Sequence, residues 1–452
     1  MAVAPSILSG ARQIVGQCLG LEPNQELVIL VDETTVAPGI AIAEAAESLG
    51  VSHTILLVPL TIQRRIPSQT DLSFLSQGTV REARAILSCL NSAPESLPFR
   101  RRILETHWTA RTRIGHMPGA SLDVLKLADV DHDQLVRDCW CLEIAMARGR
   151  TLELRSFDAD GRQYCLVADI GGWDRLPVAS DGMIRDGAWG NVPSGETYIA
   201  PMEGTAEGQV LINGSIPGLV LDQMDGLLLS FELGRLVRVE PEDGAAAMWL
   251  QESQIAKAQA SGDLNWSSLA EIGVGVNPAV HELTGNMIFD EKAIGTAHIA
   301  LGANTFMGGL VEASIHCDLI VRQPTILIDG KMVVDRGSLR YREAEWHENY
   351  GAVPLEESPL GAGTRVARSG VQAGRADDGR LQRILRPEPG RVSSCFVGDA
   401  QTAQFAQSLY RLIPAEGEGL SVESLAALAN LDVEVARRVL HVLWYYDLVR
   451  VR

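Results

Sequence analysis

The sequence predicts an α/β plus α+β protein: a doubly wound α/β domain first, a strand-rich α+β domain next, and a small helical tail. Three features of the chain predict it. Continuous apolar runs alternate with helical stretches over residues 1–125. Short alternating stretches joined by turn dipeptides dominate 150–340. A stretch rich in Pro, Gly, Glu and Arg then precedes two closing helical segments. Strand–helix–strand rhythm implies a parallel sheet with crossover helices, whereas period-two alternation with tight turns implies antiparallel pairing.

In the first domain, residues 8–19 (ILSGARQIVGQC) carry an amphipathic helical pattern. ELVILVD (26–32) is an unbroken apolar run ending in Asp32, as expected of a parallel strand buried on both faces. Residues 36–49 form the next helix, closed by Gly50. HTILLVPL (53–60) and AILSCLN (85–91) are two further buried strands. No Gly-x-Gly-x-x-Gly follows the first strand, so no dinucleotide signature is present. From about residue 150 the texture changes. TLELRSF and QYCLVAD are joined by Asp160-Gly161, a hairpin signal. Strands are expected at 208–216, 227–233, 236–242, 298–302, 314–321 and 325–334, with helices near 243–260 and 288–294. Residues 345–399 read as a linker or extended loop. In the tail, 400–452, Ser421 caps a helix over 422–429, and a second helix spans 432–446 before DLVRVR. Helix, turn, helix and short strand make a winged-helix-like module. Its second helix offers only Arg437, Arg438 and His441 to a nucleic acid, so docking or dimerisation is the expected role.

At 452 residues the chain exceeds one ordinary domain. Its formal net charge of −18 repels phosphate backbones and anionic bilayers, so neither nucleic acid nor membrane is an expected partner. The seven cysteines share no spacing, and Cys139-Trp140-Cys141 lacks the gap of a zinc knuckle or redox pair, so they read as reduced thiols. The first twenty residues lack an apolar signal-peptide core, and no run reaches the roughly 18 apolar residues of a membrane helix. A cytoplasmic protein is expected.

The chemistry is expected in the second domain. In Ser314-Ile315-His316-Cys317-Asp318, residues two apart share a strand face, so His316 and Asp318 project together. They are half of a divalent-metal site or a simple His–Asp hydrogen bond. His298 is a polar residue in an apolar strand, a pattern also met in satisfied core histidines. The Gly-rich loop GANTFMGG that follows is a natural hairpin connection and brings His298 toward the His316 strand. Glu271 stands among apolar residues and glycines, where an unpaired carboxylate is costly and seeks a cation. Glu196 is delivered onto a strand start by a Pro/Gly turn and is otherwise a capped loop acid. Together the five residues form a nitrogen and oxygen donor set large enough for two divalent ions.

These residues also carry a resemblance. NVPSGETYIAPMEGTAEG, AEIGVGVNP, LTGNMIFDEKAIGTAHIALG and ASIHCDLIV are similar to the metal-binding blocks of the aminopeptidase T / AmpS metallo-aminopeptidases. The resemblance spans about residues 10–340, is strongest from 190 to 330, and does not reach the tail. It implies an N-terminal α/β domain, a homodimer, and one or two bound divalent ions, zinc first, with cobalt, manganese or iron(II) as alternatives. It makes Glu196, Glu271, His298, His316 and Asp318 metal ligands, with one of the two glutamates also a proton shuttle. The implied reaction is hydrolysis of a peptide or amide bond in a small peptide or amino-acid-derived substrate. One position departs from the family: its tyrosine seven residues after the His298 match is Thr305 here, whose hydroxyl reaches less far toward a carbonyl than a phenol. Glu196, Glu271 and Thr305 are thus the candidates for catalytic roles. The same superfamily includes the mononuclear iron(II) dihydroxypyridine dioxygenases, whose loop GANTFMGG resembles. His298, His316 and Asp318 would supply their two-His, one-carboxylate set, leaving both glutamates unassigned. A scaffold role, or tailoring of a peptide-derived metabolite, is the remaining alternative.

Lesser candidates complete the reading. His281 and Glu282 are candidates for substrate contact, and Asp290 and Glu291 for the first turn of a helix. His347 and Glu348 read as solvated. The cationic stretch RTRIGH, flanked by His107 and ending in His116, is a candidate to neutralise an acidic substrate.

Overall fold

The computed structural model describes residues 4–64, 83–105, 112–171, 177–221, 226–340, 363–368, 409–410, 412–414, 419–445 and 449–451. The first unit is a five-stranded parallel sheet in the order Ser52–Leu57, Glu26–Val31, Ala85–Ser88, Arg113–His116, Trp189–Asn191. Why LVILV, residues 27–31 of the second of these strands, is apolar throughout is now plain. Leu27, Ile29 and Val31 pack under helices Pro5–Gln13 and Val36–Ser48. Val28 and Leu30 pack on the opposite face against Phe99 and Ile103 of helix Leu97–Glu105. A strand covered on both faces has no solvent side on which to place polar residues. The fifth strand comes from beyond residue 125 and runs directly into the chain that carries Glu196.

Two antiparallel sheets follow. One has eight strands, including the expected hairpin Thr151–Phe157 with Gln163–Asp169. The other has five, in the order His316–Arg322, Thr296–Gly302, Leu269–Gly275, Glu196–Ile199, Val178–Ser180. This second sheet positions the site. Ile272, Val274, Ala297, Ile299, Leu301, Cys317, Leu319 and Val321 enter the main core, which also takes in helix His132–Arg148 and the larger sheet. The alternate residues, including Glu271, His298, His316 and Asp318, point the other way, as the period of two requires. Thr197 anchors its strand to that helix, donating to the carbonyl of Cys139 at 2.8 Å.

One irregularity decides the aim of Glu271. Leu269 pairs with Leu301 but Glu271 pairs with Ala300, so Ala270 is an extra residue in the ladder. Leu269 and Ile272 both enter the core although they are three apart. Without the bulge at Ala270, Glu271 would share the inward face of Leu269.

In the tail, Ser421 accepts from the Ser424 amide at 3.1 Å and caps helix Val422–Ala429. Helix Val433–Tyr445 follows. A three-stranded sheet sits with them, its central strand Arg365–Arg368 lying between Leu420–Ser421 and Val449–Val451. Apart from 363–368, residues 345–399 of the expected linker lie outside the described residues, as do His107, His347 and Glu348. Among the described residues no helix is long and apolar enough to cross a membrane.

Ile299 is fully buried at the centre of the second sheet, on its core face. Ile299→Ala is expected to lower stability to denaturant by about 2–5 kcal/mol, while metal uptake by the folded protein stays near wild type. Urea melts and metal analysis on one preparation check both.

Candidate metal centre

The five predicted residues come together. Gly273 pairs with His298, Ala300 with both Glu271 and Asp318, Gly302 with His316, and Gly275 with Glu196. His298 Nε2 lies 3.1 Å from Glu271 Oε1 and 3.7 Å from Glu196 Oε2. His316 Nε2 lies 3.1 Å from Glu271 Oε2 and 3.3 Å from Asp318 Oδ1. One ligand atom each from Glu271, His298 and Asp318 fall within 4.8 Å of one another. Glycine makes the packing possible. A Cβ on Gly273 would sit 2.1 Å from His298 Nε2, and one on Gly275 would sit 2.4 Å from the carbonyl of Ala293. The sheet is therefore bare where the imidazole lies across it and where the 292–293 backbone crosses it.

The imidazoles are differently held. His316 turns Nδ1 to the carbonyl of Ala303 at 2.8 Å, which leaves Nε2 for the carboxylates or a cation. His298 is wholly buried, and its Nδ1 has no hydrogen-bond partner among the described residues. The loop between their strands is pinned at two points. Glu203 accepts from the Leu310 amide at 2.8 Å, and Asp263 accepts from the Ser314 amide and hydroxyl at 2.7 Å. Within that loop, Thr305 is exposed at the start of the turn Thr305–Met307. No hydrogen bond among the described residues links it to the five. Its neighbour Phe306 instead sets its ring edge-on to His316, with centroids 4.9 Å apart.

Charge dominates the electrostatics. Burial opposes protonation of His298, but Glu271, Glu196 and Asp318 outweigh it and raise its pKa to about 9. Burial likewise opposes the charged His316, yet Asp318 and Glu271 hold its pKa well above the ordinary value. Burial would raise Asp318, but His316, His298 and Lys292 hold it down at about 2. The imidazoles thus take up protons to answer the carboxylates. A divalent ion answers the same charge, and imidazole nitrogen with carboxylate oxygen is the donor chemistry of zinc, manganese, cobalt and iron(II). The residues fit such an ion.

Several members of the site were not foreseen. Lys292 is buried and pairs with Glu196 Oε1 at 3.0 Å and with Glu291. Burial, then the charge of Glu196, pushes the carboxyl of Glu291 up to about 8. Tyr198 shares the site face with Glu196, and burial followed by the carboxylates keeps its phenol protonated. The signal for Lys292 was present in Phe289-Asp290-Glu291-Lys292-Ala293, where three charges interrupt an apolar stretch next to His298.

Other candidates lie elsewhere. Asp290 and Glu291 do not open a helix. Asp290 is fully buried at the end of the short helix Met287–Asp290 and accepts from Ser215, Thr284 and Gly285, while Glu291 reaches Lys292. His281 and Glu282 are exposed, and His281 borders a separate cavity of about 1000 Å³ whose lining includes none of the five. Arg113 is not available to a substrate: it pairs with Asp186 and donates to the carbonyls of Leu19 and Gly20.

Fold and donor set together define a mixed α/β protein with a buried carboxylate–imidazole cluster that fits a divalent metal. Residues 182–346 match the family model described as Thermophilic metalloprotease (M29), so the resemblance carried by the sequence blocks holds over the stretch that contains all five residues. That family implies a divalent metal. No curated protein matches the sequence. Among solved structures that share the fold are two from bacteria. The 2,5-dihydroxypyridine dioxygenase from Pseudomonas putida KT2440 is 21% identical with a TM-score of 0.55, covering 74% of this chain and 96% of its own. AmpT from Thermus thermophilus is 18% identical with a TM-score of 0.53, covering 75% of this chain and 100% of its own.

Two outcomes follow from this geometry. Gly273→Ala is expected to displace His298 and weaken divalent-metal binding by roughly 10–100-fold, the range seen when the support of a ligand is lost; calorimetric titration reads the change. The second concerns pH. Folding raises the pKa of His298 from 6.5 to about 9, so in chelator-stripped protein this group stabilises the fold fully below about pH 6.5. The contribution is lost as pH rises through 9. Thermal melts with chelator between pH 6 and 10 should therefore fall more steeply than melts of zinc-loaded protein.

Proposed function

We propose that this chain is a metal-dependent hydrolase of aminopeptidase type, acting on a peptide or amide bond of a small peptide or amino-acid-derived substrate. The observation that carries the reading is the convergence of Glu196, Glu271, Asp318, His298 and His316 on one face of a rigid sheet, inside the stretch matched by a metalloprotease family model. Bound there, a divalent ion, zinc first, supplies Lewis acidity for hydrolysis. The chain's own groups do the rest. Glu271 is a ligand rather than a base, because each of its oxygens already faces one imidazole. Glu196 has Oε1 on Lys292 and the freer Oε2 turned to the centre, so it is the better proton shuttle. His316 and Asp318, with 23% and 12% side-chain exposure, mark the open side by which substrate arrives. Phe306 stands exposed beside His316 and offers an apolar surface to a substrate side chain. Thr305 is retained as a candidate for contact with the substrate carbonyl. A cytoplasmic homodimer, with the tail as a winged-helix-like docking module, completes the proposal.

One observation favours a second reading. His298, His316 and Asp318 lie on adjacent strands and make a two-His, one-carboxylate set suited to iron(II) and ring cleavage with O2. The two are separated by reconstituting stripped protein with zinc, manganese, cobalt or iron(II) and supplying short peptides with free or acetylated N-termini, with and without air. Hydrolysis predicts release of free amino acid from unblocked peptides, independent of O2. Oxygen uptake on a dihydroxylated aromatic ring, with no peptide cleavage, would reverse the order. In the hydrolase reading, His316→Ala is expected to cost more than the roughly 10–100-fold typical of an outer partner, in both metal affinity and turnover, with an unchanged circular dichroism spectrum. Full metal occupancy and activity in that variant would remove His316 from the site.

A further inference from the structure

The carboxyl end of the parallel sheet holds polar groups that the chemistry described so far does not use. Strands Ala85–Ser88, Arg113–His116 and Trp189–Asn191 end on one row, with Ser88 paired to His116 and His116 to Asn191. Laterally paired residues share a face. Ile86 shares a core with Phe99 and Ile103 of helix Leu97–Glu105, and Ser88 is two residues on. The row Ser88, His116 and Asn191 therefore lies on the face that this helix covers. Arg100 belongs to the same helix and is 6% exposed, whereas Arg101 and Arg102 point to solvent. Its guanidinium has no carboxylate in ion-pair reach among the described residues. Its hydrogen bond is a long one, from Nη2 to the carbonyl of Ser92 at 3.4 Å, just past the strand end. Arg100 Nε, His116 Nε2 and Ser88 Oγ are buried with no hydrogen-bond partner among the described residues. Burial pushes the guanidinium down to about 10. Burial, then the charge of Arg100, holds His116 down at about 4, so the imidazole adds no charge of its own. A buried cation without a counter-charge is costly, and such an arrangement suits an anion. Ligands of open α/β sheets bind at this end of the strands.

We propose that Arg100, with Ser88 and His116, forms a seat for a carboxylate of the substrate, so that the chain acts on short peptides that carry one at a distance from the scissile bond. The proposal rests on the hydrolase reading above and names its substrate class. The seat adjoins the metal centre. Asn191 and Glu196 are five positions apart in the chain, a span of at most about 17 Å and so no longer than a short extended peptide. Phe289 is buried in the core of the first unit together with Val192, which ties the segment leading to Lys292 and Glu196 onto the parallel sheet. A carboxylate in the seat meets the charge of Arg100, accepts from the Ser88 hydroxyl and favours a proton on His116 Nε2. A neutral amide in the same place would leave the guanidinium unmatched. The carboxylate is either the C-terminus of the peptide or an acidic side chain, and the probes below separate the two.

The test is a binding comparison on the full chain, with turnover as a separate readout. Calorimetry on metal-stripped protein, where nothing is hydrolysed, uses Ala-Leu, its C-terminal amide and Glu-Leu amide. The wild type is expected to bind Ala-Leu at least roughly 10-fold more tightly than its amide, the effect of one charged hydrogen-bonding partner. Arg100→Met keeps the stem, removes the charge and is expected to bring that ratio near one. If Glu-Leu amide is the tight binder instead, the seat takes a side-chain carboxylate. Equal binding of all three by the wild type would overturn the proposal, and that result needs no variant, so a variant that fails to fold leaves the test intact. A folded Arg100→Met protein that keeps the wild-type ratio would overturn it too, and a lowered Tm in that protein would assign Arg100 to structure alone. In zinc-loaded protein the same ratio is expected in KM and not in kcat. Hydrolysis of all three peptides with one KM would sink the seat and leave the hydrolase reading standing. Carboxylate-dependent binding with no hydrolysis by any metal-loaded form would sink that reading and keep the seat.

Discussion

Negative charge buried on one face of a β-sheet is the constraint on which the rest depends. Glu196, Glu271 and Asp318 lie within reach of two imidazoles and one ammonium, and no carboxylate is stable at such depth without positive charge beside it. The surroundings answer that demand in several ways. Gly273 lets His298 lie flat on the sheet, Gly275 lets the Lys292 backbone cross it, and the carbonyl of Ala303 orients His316. The opposite face of the same strands is ordinary apolar core, so the sheet is rigid where the chemistry needs rigidity.

Much of this was legible in the chain. The apolar run 27–31 announced a strand covered on both sides, because within it neither parity carried a polar residue. The spacing of His316 and Asp318 gave a shared face, and the Gly-rich segment between His298 and His316 gave the hairpin that joins their strands. What escaped has physical causes. Trp189–Asn191 is three residues long, too short for any period to register, yet it completes the parallel sheet. Asp290, Glu291 and Lys292 look like an exposed helical turn in one dimension, and only tertiary packing turns them inward. Arg365–Arg368 sits in a stretch of linker composition but pairs with two strands of the tail.

Two solved structures with this fold bear different names, a dioxygenase and AmpT. A shared scaffold at about one-fifth identity therefore decides little about reaction type. Chemistry on a shared scaffold is set by the groups grafted onto it, here the polar groups that face the site and the loop at its open side. In this chain those are Lys292, Tyr198 and the turn holding Thr305 and Phe306.

The extra residue at Ala270 has a consequence for how such a site tolerates change. It works as a phase shifter within the strand, letting Leu269 and Ile272 serve the interior while Glu271 serves the centre. Insertions or deletions in surface loops leave that phase untouched. Were Ala270 instead drawn into the regular ladder, the two faces would exchange at this point, driving an acid into hydrocarbon or a leucine toward the site. A residue that touches none of the donors thus sets which way one of them faces.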